Sequence, residues 1–157
     1  TNLPMVADAD ALNLLSKNPQ HHDNWVLTPH PGEAARLLGC SSEDIQADRF
    51  AAVYELQRRY GGVVVLKGSG SLISNGEAPT RLSTWGNPGM GSGGMGDVLA
   101  GVIGGLLAQH FPIMDAACVG VTLHGMAADR AAELDGERGT LAMDLMPHLR
   151  RLANLIY

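Results

Sequence analysis

The sequence predicts an α/β fold in which helices are layered on a sheet. Short apolar runs alternate with helical patterns in the first half of the chain, and the C-terminal part is helical. The run Val63–Leu66 is entirely aliphatic, which is typical of a strand buried on both faces of a parallel sheet. Three parallel strands would make a small sheet for so many helices. We therefore expect the chain to be the C-terminal part of a larger domain, or to receive strands from a partner segment.

Local signals place the elements of the first half of the chain. Gly39 is expected to end one helix, and Ser41, three residues before Asp44, is typical of a cap that begins the next. The expected elements are, in order, a strand ending at Met5–Val6, a helix over about 11–16, a strand over 25–28, a helix over Glu33–Leu38, a helical stretch that ends at Tyr60, and a strand over Val63–Leu66.

The second half is expected to begin with a hairpin and then to be helical. Residues 71–74 and 80–84 are predicted as two strands joined through Asn75–Gly76, a dipeptide that favours hairpin turns. Helical patterns follow over about 94–110, 115–134 and 143–156, and the last of them carries apolar residues at helical spacing.

Composition excludes several classes of protein. The 157 residues contain 11 Lys and Arg against 16 Asp and Glu, a net charge of −5 that argues against a nucleic-acid partner. Apolar stretches such as Val98–Ala108 are too short to span a bilayer, and the start of the chain lacks the pattern of a signal peptide. Cys40 and Cys118 form no disulfide framework. We expect one partial domain over 1–157, in the cytoplasm and without a membrane partner.

The strongest chemical signal is the glycine-rich passage Gly86–Asp97, which leads into a helix. Small residues at a helix start leave backbone N–H groups free, and the helix dipole adds positive potential there, so the passage predicts an anion site. Asp97 would lie beside the bound anion, which suits a general base that activates a hydroxyl for attack on phosphorus. The alternative is a glycine-rich turn in which Asp97 only stabilises the helix start.

Two further segments follow predicted strands. Ligands of open α/β sheets bind outside the carboxyl ends of strands, so Lys67 is placed to meet one, with the Ser69 and Ser71 hydroxyls available for phosphate or ribose oxygens. His30 lies between two prolines that fix its backbone, which favours a substrate contact. The alternatives are a surface lysine in a connecting loop, and a rigid turn in which Glu33 stabilises the next helix.

Metal-binding patterns are weak. The segment 21–23, His-His-Asp, is best interpreted as a solvated loop, and no Cys/His spacing matches a zinc site. His124 lies in an alanine-rich helical pattern and is interpreted as a packed or hydrogen-bonded residue.

Four segments, taken in this order, resemble one family: Asp8-Ala-Asp10, Thr28-Pro-His-Pro-Gly-Glu33, Val65-Leu-Lys-Gly68 and the passage Gly86–Asp97. The chain is similar, from about Met5 to its end, to the ADP/ATP-dependent NAD(P)H-hydrate dehydratases of the ribokinase-like superfamily. The resemblance implies a ribokinase-like layered αβα fold, of which this chain is the C-terminal part. It also implies a hydro-lyase that removes water from the hydrated nicotinamide ring of damaged NADH or NADPH, coupled to nucleotide hydrolysis.

The resemblance implies a role for each matching residue. The adenine nucleotide, ADP or ATP, would bind to two segments. One is the lysine loop, which consists of Lys67, Gly68, Ser69, Gly70 and Ser71; the other is the glycine-rich passage, through Gly93, Gly94 and Gly96. His30 and Asp97 would contact the hydrated dinucleotide, with Asp97 as the catalytic base. Mg²⁺ would bridge nucleotide oxygens, and no residue is identified as its dedicated ligand.

Two other functions stay open at this point. One is a ribokinase-like small-molecule kinase, in which Asp97 would activate the alcohol of a vitamin precursor or sugar-like substrate. The other is a nucleotide-binding regulatory or structural module without enzymatic activity. The resemblance further implies an N-terminal epimerase domain in the complete protein, as is usual in bacterial members. We also expect a homo-oligomer.

Overall fold

The structure, a computed structural model, describes residues 3–77 and 79–155. Two 3₁₀ turns, Pro88–Gly91 and Ala142–Asp144, precede the helices that begin at Met95 and Leu145. The strands and α-helices are, in chain order, β1 (Met5–Ala7), α1 (Asp10–Lys17), β2 (Trp25–Leu27), α2 (Pro31–Leu38), α3 (Ser42–Ala47), α4 (Arg49–Tyr60), β3 (Val63–Leu66), β4 (Leu72–Ser74), β5 (Arg81–Leu82), α5 (Met95–Ala108), α6 (Ile113–Asp135) and α7 (Leu145–Ala153).

The sheet is mixed, with the strand order β1-β2-β3-β4-β5. Strands β1, β2 and β3 are parallel, and Val26 pairs with Val6 on one side and with Val63 on the other. Strand β4 is antiparallel to β3, and β5 is antiparallel to β4. The interpretation of β3 as a strand within a parallel sheet is therefore wrong on one side. The reason is the short segment 67–71, because a parallel return needs a crossover of a dozen residues or more.

Alternate residues of the strands face two different helical layers. On one side, Leu27, Val64 and Leu66 pack with residues of α1 to α4, and this cluster includes Tyr60 and Leu56. On the other side, strand residues such as Val26, Val63, Val65 and Ile73 pack against α5 and α6. All four residues of β3 are buried, as a strand covered on both faces requires. The result is a helix–sheet–helix sandwich, which confirms the predicted layered α/β fold.

Several element bounds differ from those expected. The helical stretch that ends at Tyr60 is two helices, because Asp48 has non-helical backbone angles and its side chain accepts a 2.9 Å hydrogen bond from the Ala51 N–H. The hairpin strands are shorter than predicted: β4 ends at Ser74 and β5 begins at Arg81, so they are not joined by a two-residue turn. The last helix begins at Leu145 because residues 142–144 form a 3₁₀ turn. That helix ends at Ala153, short of the predicted end at 156, a residue that lies outside the described ones.

Helices α5 and α6 form an apolar pair that covers one face of the sheet. A Cβ added at Gly120 of α6 would lie 2.6 Å from Cγ1 of Ile103, so glycine is what allows the two helices to approach closely. Within the part of the chain that the structure describes, none of the helices is both long enough and apolar enough to cross a bilayer.

Tyr60 ties α4 to α2 and provides a test of the packing. Its side chain is fully buried, and its hydroxyl donates a 2.7 Å hydrogen bond to the carbonyl of Leu37. Tyr60→Phe leaves that carbonyl without a partner in the core, so the free energy of unfolding should fall by about 1–2 kcal/mol. Tyr54→Phe, on the half-exposed face of the same helix, is the matched control and should leave it unchanged. Urea denaturation measures both, and equal stability of the two variants would contradict this packing.

Candidate active site at the carboxyl ends of the parallel strands

Charged side chains from three strand ends meet at one edge of the sheet. Asp8 follows β1, Lys67 follows β3, and Glu33 lies in the first turn of α2, just after β2. The Lys67 Nζ lies 2.8 Å from Asp8 Oδ1 and 3.8 Å from Glu33 Oε2. All three side chains are mostly buried, so one ammonium group is shared by two carboxylates in a partly desolvated site.

His30 and Glu33 form a reciprocal cap at the start of α2. The His30 Nδ1 accepts hydrogen bonds from the N–H groups of Gly32 (3.0 Å) and Glu33 (3.3 Å), and the His30 N–H donates to Glu33 Oε2 at 2.8 Å. Because Nδ1 accepts, the proton of the neutral ring is on Nε2, which lies 3.6 Å from Glu33 Oε1. The ring is half exposed, so this polar edge is available to a ligand.

The first turn of α5 lies directly over the Asp8–Lys67 pair. A Cβ added at Gly96 would lie 3.2 Å from both Asp8 Oδ2 and Lys67 Nζ, closer than most side-chain contacts. Gly94, with φ of +86°, is the residue before the helix. The first amides of α5 have no acceptor within the helix, and the helix dipole makes this end positive. Asp97, in the same turn, is exposed to solvent.

The remaining residues of the lysine loop are held by other elements. The Arg49 guanidinium donates hydrogen bonds to the carbonyls of Ser69 (2.7 Å) and Leu66 (3.2 Å), and a Cβ at Gly68 would lie 2.9 Å from its Nη2. The Ser71 carbonyl accepts from the N–H of Ser83 at 2.9 Å. Only part of the predicted site therefore lies against the first turn of α5.

The structure thus brings some predicted site residues together and leaves others apart. Lys67 contacts Asp8 beneath Gly96, and both Lys67 and His30 face Glu33. Among the predicted nucleotide-binding residues, Gly68, Ser69, Gly93 and Gly94 are exposed to solvent. Gly70 packs against β5, since a Cβ there would lie 2.9 Å from Leu82 Cδ1.

Asp8 and Glu33 are site residues that the sequence analysis did not select. Asp8 belongs to one of the motifs that carry the family resemblance, and the sequence indicates for Glu33 only that it stabilises the next helix. Their shared signal is position, because each follows a strand that ends at the same edge of the sheet as the strand before Lys67.

His124 is a third residue of this region, and it is packed as predicted. It lies on α6, is only 6 % exposed, and its Nε2 has no hydrogen-bond partner among the described residues. The pKa of its imidazole is lowered from 6.5 to about 4, chiefly by burial; a hydrogen bond with the main chain of Met95 opposes the change, and the charge of Lys67 contributes to it. His124 is therefore a neutral ring beneath the first turn of α5.

A divalent ion would find few protein ligands in this site. Across residues 3–77 and 79–155, no group of three or more His, Cys, Asp or Glu side chains is arranged to hold a metal ion. The carboxylates of Asp8 and Glu33 already face Lys67. Mg²⁺ in phosphate-transfer sites is commonly held by one or two carboxylates together with substrate phosphates and water, so the nucleotide itself would supply most of its ligands.

The fold belongs to the ribokinase-like class. A ribokinase-like superfamily protein from Enterococcus faecalis superimposes with a TM-score of 0.82 at 29 % identity, over 98 % of this chain and 52 % of that one. The structure of an ADP/ATP-dependent NAD(P)H-hydrate dehydratase from Bacillus subtilis, co-crystallised with ATP and Mg²⁺ and soaked with CoA, superimposes with a TM-score of 0.88 at 29 % identity. That match covers 100 % of this chain and 58 % of the other.

The particular family is shown by the sequence comparisons. The family model described as NAD(P)H-hydrate dehydratase matches residues 1–151, and the chain belongs to this family. It is 57 % identical to the bifunctional NAD(P)H-hydrate repair enzyme of Coxiella burnetii, over 98 % of this chain and 32 % of the relative. It is 45 % identical to the ADP-dependent (S)-NAD(P)H-hydrate dehydratase of Neisseria meningitidis, over 99 % of this chain and 55 % of the relative. The chain thus spans between a third and about half of these relatives.

The neutral buried ring of His124 makes stability depend on pH. Between pH 6.5 and about 4, the unfolded chain takes up a proton that the folded chain does not, so the free energy of unfolding falls as the pH falls. The loss attributable to this ring should reach about 3 kcal/mol below pH 4. Urea denaturation over this range should show a smaller loss in His124→Gln than in the parent chain. His148→Gln is the control and should keep the pH dependence of the parent chain. An equal pH dependence of the unfolding free energy in His124→Gln and the parent chain would contradict the assignment of a neutral buried ring to His124.

Proposed function

We propose that this chain carries the active site of an ADP- or ATP-dependent dehydratase that converts NADH or NADPH hydrate back to NADH or NADPH. Membership of the family supports the reaction. The observation that carries the assignment is the first turn of α5, which lies over Lys67 at Gly96 and presents Asp97 to solvent. Free amides, an ammonium group and an exposed carboxylate are then next to one another, as transfer of a phosphoryl group to a hydroxyl requires.

In this proposal the nucleotide lies across the two loops. Its terminal phosphate binds to the amides of Gly93, Gly94 and Gly96, and the rest of the nucleotide lies on the lysine loop, from Lys67 through Gly68, Ser69 and Gly70 to Ser71. Helix N-termini bind phosphate in this way through backbone N–H groups and the helix dipole. Arg49 supports the lysine loop by its hydrogen bonds to the carbonyls of Ser69 and Leu66.

Asp97 acts as the general base. It takes the proton from the hydroxyl of the hydrated ring, whose oxygen then forms a bond to the terminal phosphorus as the bond from phosphorus to the nucleotide oxygen breaks. Phosphate leaves from the ring carbon with that oxygen, because the lone pair of the ring nitrogen expels it. Loss of a proton from the neighbouring carbon then restores the dihydronicotinamide. The amides at the start of α5 stabilise the charge on the transferred group.

His30 binds the hydrated dinucleotide in this proposal. Its exposed Nε2–H can donate to a substrate oxygen, and its Nδ1 is fixed by the two amides of α2. A ring held in one tautomer loses little freedom on binding, which favours recognition.

The names of relatives support an adenine nucleotide as co-substrate. The Neisseria meningitidis protein is named as ADP-dependent and the Bacillus subtilis protein as ADP/ATP-dependent, and the latter was co-crystallised with ATP and Mg²⁺. We propose that ADP or ATP binds here with Mg²⁺, which would neutralise charge on the nucleotide oxygens. The protein ligands available to the ion are few, so no step above depends on it.

The complete protein is proposed to carry a second activity besides that of this chain. Relatives such as that of Coxiella burnetii are named as bifunctional repair enzymes, of which this chain covers 32 %. We propose that residues 1–157 are part of one dehydratase domain, joined in the complete protein by an N-terminal epimerase domain. A cytoplasmic location and a homo-oligomeric state stay predictions.

One assay separates the dehydratase from the kinase alternative. The complete protein is mixed with NADH hydrate and ADP or ATP, and recovery of NADH absorbance is followed. Recovery is expected. Its absence, together with phosphorylation of an alcohol substrate, would favour the kinase, whereas nucleotide binding without either reaction would favour the non-enzymatic module.

Asp97→Asn tests the general base. The variant keeps the shape of the side chain but cannot take a proton, so kcat should fall by about 10²- to 10⁴-fold. ADP affinity, measured by calorimetry, should be retained because the amides of α5 are unchanged. Asp115→Asn, exposed in the first turn of α6 and at the end of that helix away from the glycine-rich loop, removes the same charge and should leave both quantities unaltered. Unchanged turnover in Asp97→Asn would remove Asp97 from this role.

Gly96→Ala tests the close approach of α5 to the Lys67 pair. The new methyl group would lie 3.2 Å from both Lys67 Nζ and Asp8 Oδ2 and should displace the helix start. We expect kcat/KM to fall by about 10- to 100-fold. Gly101→Ala, on an open face of the same helix, should raise the free energy of unfolding by about 1 kcal/mol and leave kcat/KM unchanged. Equal kcat/KM for the two variants would contradict the proposed packing.

A further inference from the structure

The glycine-rich loop that leads into α5 runs along one face of α6. Trp85, the residue just before it, lies against Gly125, where an added Cβ would be 2.6 Å from Cβ of Trp85 and 2.9 Å from its carbonyl. Further along, a Cβ at Gly89 would lie 2.5 Å from the carbonyl oxygen of Glu137, just past the end of α6. The loop therefore follows α6 from Gly125 to its C-terminal end, with its main chain in close contact at both points.

Between these two contacts, Asp129 of α6 binds the loop through both carboxylate oxygens. Its Oδ2 accepts a hydrogen bond from the N–H of Gly86 at 3.0 Å, and its Oδ1 accepts one from Nδ2 of Asn87 at 2.9 Å. The Asn87 Oδ1 in turn accepts from the N–H of Gly89 at 3.0 Å. Two hydrogen bonds thus join α6 to the start of the loop, and a third, within the loop, continues from Asn87 to Gly89.

The composition of the loop makes such a connection important. Residues 86–94 contain a glycine at 86, 89, 91, 93 and 94, and glycine has more conformational freedom to lose on ordering than any other residue. At the far end, Met95 is buried against α6 and α7. With Asp129 at the near end, the loop is held on both sides of Gly93 and Gly94, which are exposed to solvent.

We propose that Asp129 is a positioning residue for nucleotide binding: through Gly86 and Asn87 it holds the glycine-rich loop in the conformation that presents the phosphate-binding amides. This inference rests on the proposed function, since it assigns the loop to the nucleotide phosphate. Asp129 does not touch the reacting atoms. It acts by ordering the loop before the nucleotide arrives, so that binding does not have to supply that order.

The hydrogen-bond pattern allows a test by exchange of the two side chains. In Asp129→Asn, the new NH₂ group faces the Nδ2 donor of Asn87, so either this contact or the bond to Gly89 is lost. In Asn87→Asp, two carboxylates face each other. In the double variant Asn87→Asp/Asp129→Asn, the carboxylate at 87 accepts from Gly89 and from the amide at 129, whose oxygen accepts from Gly86. All three bonds are restored, and the net charge is that of the parent chain.

The experiment measures ADP affinity, nucleotide KM, kcat and unfolding free energy in the complete protein. Each single variant should bind ADP about tenfold more weakly, the effect of losing one hydrogen bond to a charged group. The KM for nucleotide should change more than kcat, and the double variant should return to within about threefold of the parent affinity, since restored bonds recover most of such an interaction energy. Asp115→Asn, exposed in the first turn of the same helix and away from the loop, is the charge-matched control.

The outcomes separate this inference from the proposed function. In the first case, the parent protein binds ADP and recovers NADH. Normal ADP affinity in Asp129→Asn, or no recovery of affinity in the folded double variant, would then overturn the positioning role alone. Parent protein that does not bind ADP would overturn the proposed function and this inference together. If Asp129→Asn does not fold, Asn87→Ala serves instead, because it keeps the bond between Asp129 and Gly86 and should show the same loss of affinity.

Discussion

The ammonium group of Lys67 connects three elements that are far apart in the sequence. It lies 2.8 Å from Asp8, which follows β1, and 3.8 Å from Glu33 in α2, and Gly96 of α5 packs over it. Removing one member of a buried ion pair typically costs about 3–5 kcal/mol because the remaining charge has no partner. The arrangement therefore fixes how the ends of the parallel strands and the start of α5 sit relative to one another.

That constraint explains why the proposed chemistry is located at this edge of the sheet. Two negative side chains near a phosphate would repel it, but Lys67 offsets one of the two charges and the free amides of α5 provide positive potential. The glycine-rich loop that carries these amides has little order of its own, and it depends on α6 for it. Asp129 and Asn87 hold its start, while the buried Met95 holds its end. His124, neutral and buried on the same helix, adds no charge of its own beneath the amides.

Local signals in the sequence predicted most elements, and contacts between distant residues account for the errors. The cap formed by Ser41 and Asp44, and the left-handed Gly39 that ends α2, are set by neighbouring residues and are confirmed. The ion pair of Lys67 with Asp8 joins residues 59 positions apart, and no local pattern reports such a contact. The antiparallel β4 follows from the shortness of the loop before it. The predicted site residues lie in short segments whose composition already indicates a binding site. Asp8 and Glu33, in contrast, become site residues only through the register of the parallel strands.

Transfer of the ring hydroxyl oxygen to phosphorus is the central claim of this account, and isotope labelling tests it most directly. NADH hydrate that carries ¹⁸O in its ring hydroxyl is converted by the complete protein with ADP, and the inorganic phosphate formed is analysed by ³¹P NMR. If the start of α5 holds the terminal phosphate while Asp97 activates the hydroxyl, each phosphate released should carry one ¹⁸O atom. Label found in water, with unlabelled phosphate, would contradict the account.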